Sequence, residues 1–140
     1  MSVRVYLPLV MSDLAAVQTS GEVPLSSRRT VHAVTAGDRA DHPGEDEEDL
    51  EFEATCQALD SAADRRRTKG ERRVVVAADV ASVVEQDAWT VVVEAPVALS
   101  DVVSFHVEES TGTALGEGYD DLLWYDVTEL DDVIALVSGD

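Results

Sequence analysis

A lone cysteine, Cys56, leaves the chain without the second thiol that an internal disulfide needs, so folding must rest on an apolar core and a reducing cytoplasm is the expected compartment. Aromatic residues are scarce at 5%. Valine, alanine and leucine must therefore fill most of that core, and at 45% hydrophobic residues the 140-residue chain has enough apolar surface for one domain over residues 1–140. Long apolar runs are missing as well. The opening run is interrupted by Pro8 and closed by Ser12-Asp13, which is too short for the apolar segment of a signal peptide. Val74 to Ala78 falls far below the roughly 20 residues that span a bilayer. No membrane segment is expected.

Positive charge is scarce and unevenly placed. The formal net charge is −19; residues 41–64 hold no lysine or arginine, then Arg65, Arg66, Arg67, Lys69, Arg72 and Arg73 arrive together, and none follows. Such a field repels phosphates, so nucleic acid and anionic lipid are excluded as expected partners. The plainer reading of the acidity is solubility, or a salt-rich or GC-rich source; the functional one is a surface for basic partners.

Familiar catalytic signatures are missing too. There is no CxxC, HExxH or GxSxG, and the glycines at 112, 116 and 118 lack the lysine and hydroxyl residue of a P-loop, which makes that stretch a flexible loop. No cofactor is expected.

What is present alternates and repeats in ways that specify elements. Val3, Val5, Leu7 and Leu9 have the period of a half-buried strand, with Pro8 at its end or edge. Ser12 caps a short helix burying Leu14 and Val17 and stopping at Gly21, and Val31 to Thr35 is a second strand. The breakers between Asp38 and Gly44 predict a loop. A long helix should follow, acidic at its start (Glu45 to Asp49) and basic at its end (Arg65 to Lys69), closed by Gly70, with Phe52, Cys56, Leu59 and Ala63 as its buried stripe. Val74 to Ala78 reads as a central strand covered on both faces. Val80, Val83 and Val84 suggest a short helix, Thr90 to Ala95 a strand ended by Pro96, Ser100 the cap of a single turn, and Val103 to Val107 a further strand. Leu122 to Val127 is the last strand, and Thr128 caps a helix burying Leu130, Val133 and Leu136. Pro8 to Leu14 resembles Pro96 to Val102, either an old strand-cap-helix duplication or shared capping chemistry. Together these elements predict an α+β fold: a mixed sheet of about five or six strands with helices mainly on one face.

Few side chains stand out as chemistry. His106 and Glu108, two apart on a strand, share a face and could share an ion with His32 or His42, but a hydrogen-bonded or surface histidine is the expected state and no metal site is assigned. The acidic run at residues 45–49 lacks the spacing of a calcium loop. Cys56 belongs to the core. Tyr6, Trp124 and Tyr125 carry rings with polar handles near strand ends, suited to a ligand pocket or to core packing. Trp89, in a turn beside Asp87, is the expected exposed interface residue.

The segments Val3-Arg4-Val5-Tyr6-Leu7-Pro8-Leu9, Val31-His32-Ala33-Val34-Thr35, the Glu-rich helix start, Arg73 to Val80 and Leu122-Leu123-Trp124-Tyr125-Asp126-Val127-Thr128-Glu129-Leu130 resemble a family of small actinobacterial proteins of unknown function. The resemblance covers most of the chain in order, departing at residues 36–44 and 110–121. It implies an actinobacterial cytosolic protein and transfers no activity.

Two functional classes follow. The first expectation is a non-enzymatic binding or regulatory protein that engages another protein, or a second copy of itself, through Glu47, Glu48, Glu51 and Trp89. The alternative is a small-molecule enzyme or metal-binding protein with a pocket built from Tyr6, His106, Glu108, Trp124 and Tyr125, in which His106 serves as acid or base.

Overall fold

Alternating side chains put Val5, Leu7 and Leu9 on one face of the first strand and Tyr6 on the other. In the computed structural model, which describes residues 2–25, 29–68, 71–108 and 122–138, this strand is β1 (Val3–Val10). The chain continues through α1 (Leu14–Ser20), β2 (Thr30–His32), α2 (Ala36–Asp41), α3 (Glu47–Ala62), β3 (Arg73–Val80), β4 (Val83–Asp87), β5 (Thr90–Val93), β6 (Val102–Glu108), β7 (Leu122–Asp126) and α4 (Leu130–Ser138). The strands form one sheet in the order β4-β5-β2-β1-β3-β6-β7, and every neighbouring pair is antiparallel. The α+β class is the expected one. The pairing is wholly antiparallel rather than mixed, and the seventh strand is β4, where a short helix was expected. Val83 and Val84 pair with Val93 and Val92 across a tight turn, so the local apolar spacing is overridden by the ladder.

The two central strands explain the two cores. β1 and β3 pair along their full lengths, Val3 opposite Val80 through Val10 opposite Arg73, so Pro8 does not end the strand. On one face Val5, Leu7, Leu9, Val74, Val76, Phe105 and Val107 pack under Leu14 and Val17 of α1 and Leu130 and Val133 of α4. On the other, Tyr6, Val75 and Ala77 pack under α3. Helices thus lie on both faces, with α1 and α4 on one and α3 on the other, where they were expected mainly on one. The central run Val74 to Ala78 is buried throughout, as a strand covered twice must be.

The stripe of α3 differs from expectation. Its buried residues are Leu50, Ala54, Thr55, Cys56, Ala58, Leu59 and Ala62. The small residues Ala54, Ala58 and Ala62 recur every fourth position and let the helix approach the sheet, which rotates Phe52 outward to 48% exposure. α3 gives way to a 3-10 turn at Ala63–Arg65, so Arg66 to Thr68 lie beyond it; Lys69 and Gly70 are outside the described residues, as are the glycines at 112, 116 and 118 and the side chain of Leu136.

Two further differences concern capping. The loop expected from Asp38 to Gly44 is helical over its first four residues, in α2, because Thr35 and Asp38 make a reciprocal box: the Thr35 hydroxyl accepts from Asp38 N at 3.1 Å and the Asp38 carboxylate accepts from Thr35 N at 2.9 Å. This also shortens the second strand to Thr30–His32. The repeated strand-cap segments share one device, an acid three residues on that accepts the entering N–H: Asp13 from Val10, Asp101 from Ala98 and Glu129 from Asp126. The first and third lead to α1 and α4. The second leads straight into β6, so the helix expected of a full duplication is missing there.

Candidate functional site

α3 lies along β1, and its two ends meet opposite electrostatic surroundings. At its C-terminal end the basic cluster folds inward. Arg73, fully buried at the start of β3, pairs with Glu108, 2% exposed at the end of β6, through Nε and through its own backbone N–H at 2.8 Å. Arg66 reaches the same carboxylate at 3.5 Å, and Asp60 stands 3.7 Å from Arg73. Asp13, 1% exposed, is held by Arg65 at 3.0 Å and Arg67 at 2.9 Å. Burial pushes the Asp13 carboxyl up, but hydrogen bonds from Arg65, the Val10 N–H and Arg67 together hold it below the ordinary aspartate value.

At the N-terminal end of α3 the carboxylates face water. Glu47, Glu48 and Asp49 occupy the first turn, where the helix dipole favours them. Glu47 is bound by Arg39 at 2.6 Å. Glu48 and Asp49, four and three residues before the exposed Phe52, are exposed on its face of the helix, and Glu53 is exposed next to it in the chain. Among the described residues, none of these three carboxylates pairs with an arginine. Beside this ridge a cavity of about 680 Å³ opens between α3, β1 and the β3–β4 turn, lined by Arg4, Tyr6, Arg39, Glu47, Glu51 and Glu85 among others. Arg4 is paired with Asp79 at 2.6 Å. Tyr6, 4% exposed, has its phenol pushed up by burial and by the charge of Glu51.

The residues singled out in the sequence are distributed over both faces. His106, Glu108 and Trp124 share the α3 face with Tyr6, whereas Tyr125 packs on the opposite core across from Phe105. His106 Nε2 lies 3.0 Å from the Ser104 hydroxyl, and burial, helped by the charge of Arg4, lowers its pKa. Glu108 is committed to Arg73 and Arg66. Trp124, 60% exposed, is the most open large apolar side chain among the described residues. Among the described residues no group of three or more His, Cys, Asp and Glu side chains is placed to hold a metal ion. Trp89, expected to be exposed, is half-buried against the α3-side core, tilted against His42 at 5.6 Å. Of the acidic set, Glu48 is open, Glu47 is paired and Glu51 turns toward Tyr6.

Two features were not singled out in the sequence. Phe52 was assigned to the core, although its charged neighbours Glu48, Asp49 and Glu53 signal a solvent face. The second is a contact between His32, 9% exposed at the end of β2, and Ser61 in the last turn of α3, with His32 Nε2 2.7 Å from Ser61 Oγ. Twenty-nine positions separate them, and no spacing rule joins residues so far apart.

Fold and surfaces together define an α+β protein with an open seven-stranded antiparallel sheet and an acidic helix across one face. No helix among the described residues is long and apolar enough to cross a membrane. The chain belongs to a family of unknown function, DUF6912, whose sequence model matches residues 3–134. No curated protein and no solved structure matches it.

Proposed function

We propose that this chain is a binding protein that holds a basic segment of another protein against the acidic ridge of α3. The observation that carries this reading is the division of charge. Arg4, Arg39, Arg65, Arg66, Arg67 and Arg73 each pair with a carboxylate of the chain itself, so the exposed acids Glu48, Asp49 and Glu53 are left to act outward. Phe52 in their midst supplies what a bare acidic patch lacks: an aromatic face on which a lysine or arginine side chain can lie while its charge meets the carboxylates. The cytosol is the compartment that suits the single buried thiol of Cys56, and the resemblance in the strand and C-terminal segments supports an actinobacterial source.

The test is capture from source cells with the full chain as bait, compared with a Glu48→Gln, Asp49→Asn, Phe52→Ala variant. A partner that is retained by the parent and lost by the variant supports the ridge. Equal retention places the contact elsewhere and overturns the reading. Replacing Glu47 and Glu51 by Gln is the informative control, because Glu47 is bound by Arg39 and Glu51 turns into the cavity; capture should survive it.

A further inference from the structure

The contact between His32 and Ser61 has the geometry of an activated hydroxyl. His32 Nδ1 lies 3.0 Å from the Trp89 carbonyl oxygen, which can only accept, so the ring proton sits on Nδ1. Nε2 then presents its lone pair to Ser61 Oγ at 2.7 Å, and the hydroxyl hydrogen points at the ring. This is the relation of nucleophile, base and orienting group required for nucleophilic catalysis, with a backbone carbonyl in the orienting position.

The orienting carbonyl is itself firmly held. Trp89 has φ 55°, a left-handed conformation uncommon for a tryptophan. It is fixed there from both sides: its N–H donates to Asp38 at 3.0 Å, and its carbonyl also accepts from Ala33 N at 3.2 Å. Backbone strain of this kind persists only where surrounding contacts impose it.

The pair opens on a space. A second cavity, of about 260 Å³, is lined by His32 and Ser61 together with Pro8, Pro24, Leu25, Thr30 and Arg65. Its walls are apolar apart from the pair, Thr30 and the arginine. Arg65, at one corner of the wall, is itself ion-paired with Asp13 at 3.0 Å.

We propose that Ser61 is a nucleophile, with His32 as its general base, that accepts the acyl group of a small ester or thioester bound in this cavity. Ser61 Oγ forms a bond to the carbonyl carbon while its proton moves to His32 Nε2. The tetrahedral oxyanion collapses, the bond to the alcohol or thiol breaks, and His32 returns the proton to the leaving group. Water then repeats the sequence on the acyl-serine, releasing the carboxylic acid. The inference goes beyond protein binding and does not rest on it, since the cavity is built at the far end of α3 from the acidic ridge.

A fluorophosphonate tests this on the full chain, because its phosphorus bonds to serine oxygen as fluoride leaves and the proton passes to the base. The expected result is one adduct, mapped to Ser61 by peptide mass spectrometry, absent in Ser61→Ala and formed about 100-fold or more slowly in His32→Gln. Absence of a Ser61 adduct under excess probe, or an equal rate in a folded His32→Gln, overturns the proposal. Should His32→Gln fail to fold by circular dichroism, the pH profile of the unaltered chain decides. Burial lowers the His32 pKa below its ordinary 6.5, outweighing the Trp89 carbonyl and the charge of nearby Asp60, which raise it. The labelling rate should therefore fall as the pH is lowered, with a midpoint below 6.5, because protonated His32 cannot accept the serine proton. A rate that follows hydroxide without that inflection overturns the proposal as well.

Discussion

At the C-terminal end of α3, Glu108 and Asp13 are sealed from water and gripped by arginines; at its N-terminal end, Glu48, Asp49 and Glu53 stand open beside an exposed phenylalanine. The residue types are the same, but the physical consequences are opposite. A carboxylate out of water must be compensated, so each one at the buried end ties two or more segments together: Glu108 joins β6 to β3 and to the chain after α3, and Asp13 joins the β1–α1 turn to that same chain. An open carboxylate needs no partner. It adds little to stability and is free for recognition.

The strongest way to break this comparison is to remove one buried acid. Glu108→Ala leaves the guanidinium of Arg73 in the core without its main counter-charge, and the expected loss is about 3–5 kcal/mol in urea unfolding. A loss no greater than that of Glu48→Ala, expected within about 0.5 kcal/mol, would show that the two ends do not differ. Asp13→Asn comes next. It keeps an acceptor for the Val10 N–H but gives up the charge that binds Arg65 and Arg67, at a cost of about 1–3 kcal/mol.

Acid sharpens the same contrast. His32 and His106 are held neutral chiefly by burial, so the unfolded chain binds their protons more readily than the folded one. Their contribution is complete above the ordinary value of 6.5 and declines as pH falls through it. Asp13 acts lower. Its folded pKa lies below the ordinary 3.8, so its contribution is present above that value and disappears as pH falls through the folded one. Urea midpoints should therefore fall in two stages between pH 8 and pH 2, the upper one flattened in a His32→Gln, His106→Gln double variant. An unaltered upper stage in that variant would assign it to other groups.

How far the sequence foretold this arrangement depends on the range of the interaction. Local signals read well: the alternation in Val3 to Leu9, the apolar run at Val74 to Ala78 and the stop at Gly21, whose φ is 74°, each specify their own element. Periodicity misled where two patterns coexist. Phe52 fits a helical stripe with Cys56 and Leu59, but the sheet selects the flatter face made by Ala54, Ala58 and Ala62, a choice set by distance to another element. Val83 and Val84 are β-branched, but two such residues do not specify a strand until their partners in β5 are in place. The arginine cluster was legible as a cluster and illegible as a fastener, since Arg73 meets Glu108 across 35 positions. The same limit hid His32 and Ser61. Their types carry no information until β2 and the last turn of α3 are placed side by side.

The smallest expected effect on stability is also the sharpest test of the open end. Replacing Glu48, Asp49 and Glu53 together by their amides removes three negative charges, two of which, Glu48 and Asp49, lie in the first turn of α3 and interact favourably with the dipole. It also relieves repulsion between Asp49 and Glu53, four residues apart on the same face. These effects oppose each other, so the change in urea midpoint should correspond to no more than about 0.5 kcal/mol. Binding of a basic partner should respond quite differently, because attraction between exposed charges governs encounter and is screened over about 8 Å at physiological ionic strength. The parent should lose affinity steeply as salt rises, and the amide variant should bind weakly at all salt concentrations with a shallower slope. Parallel slopes would mean that the partner reads some other part of the anionic surface. A large stability loss would mean that the ridge, like the arginine end, is structural.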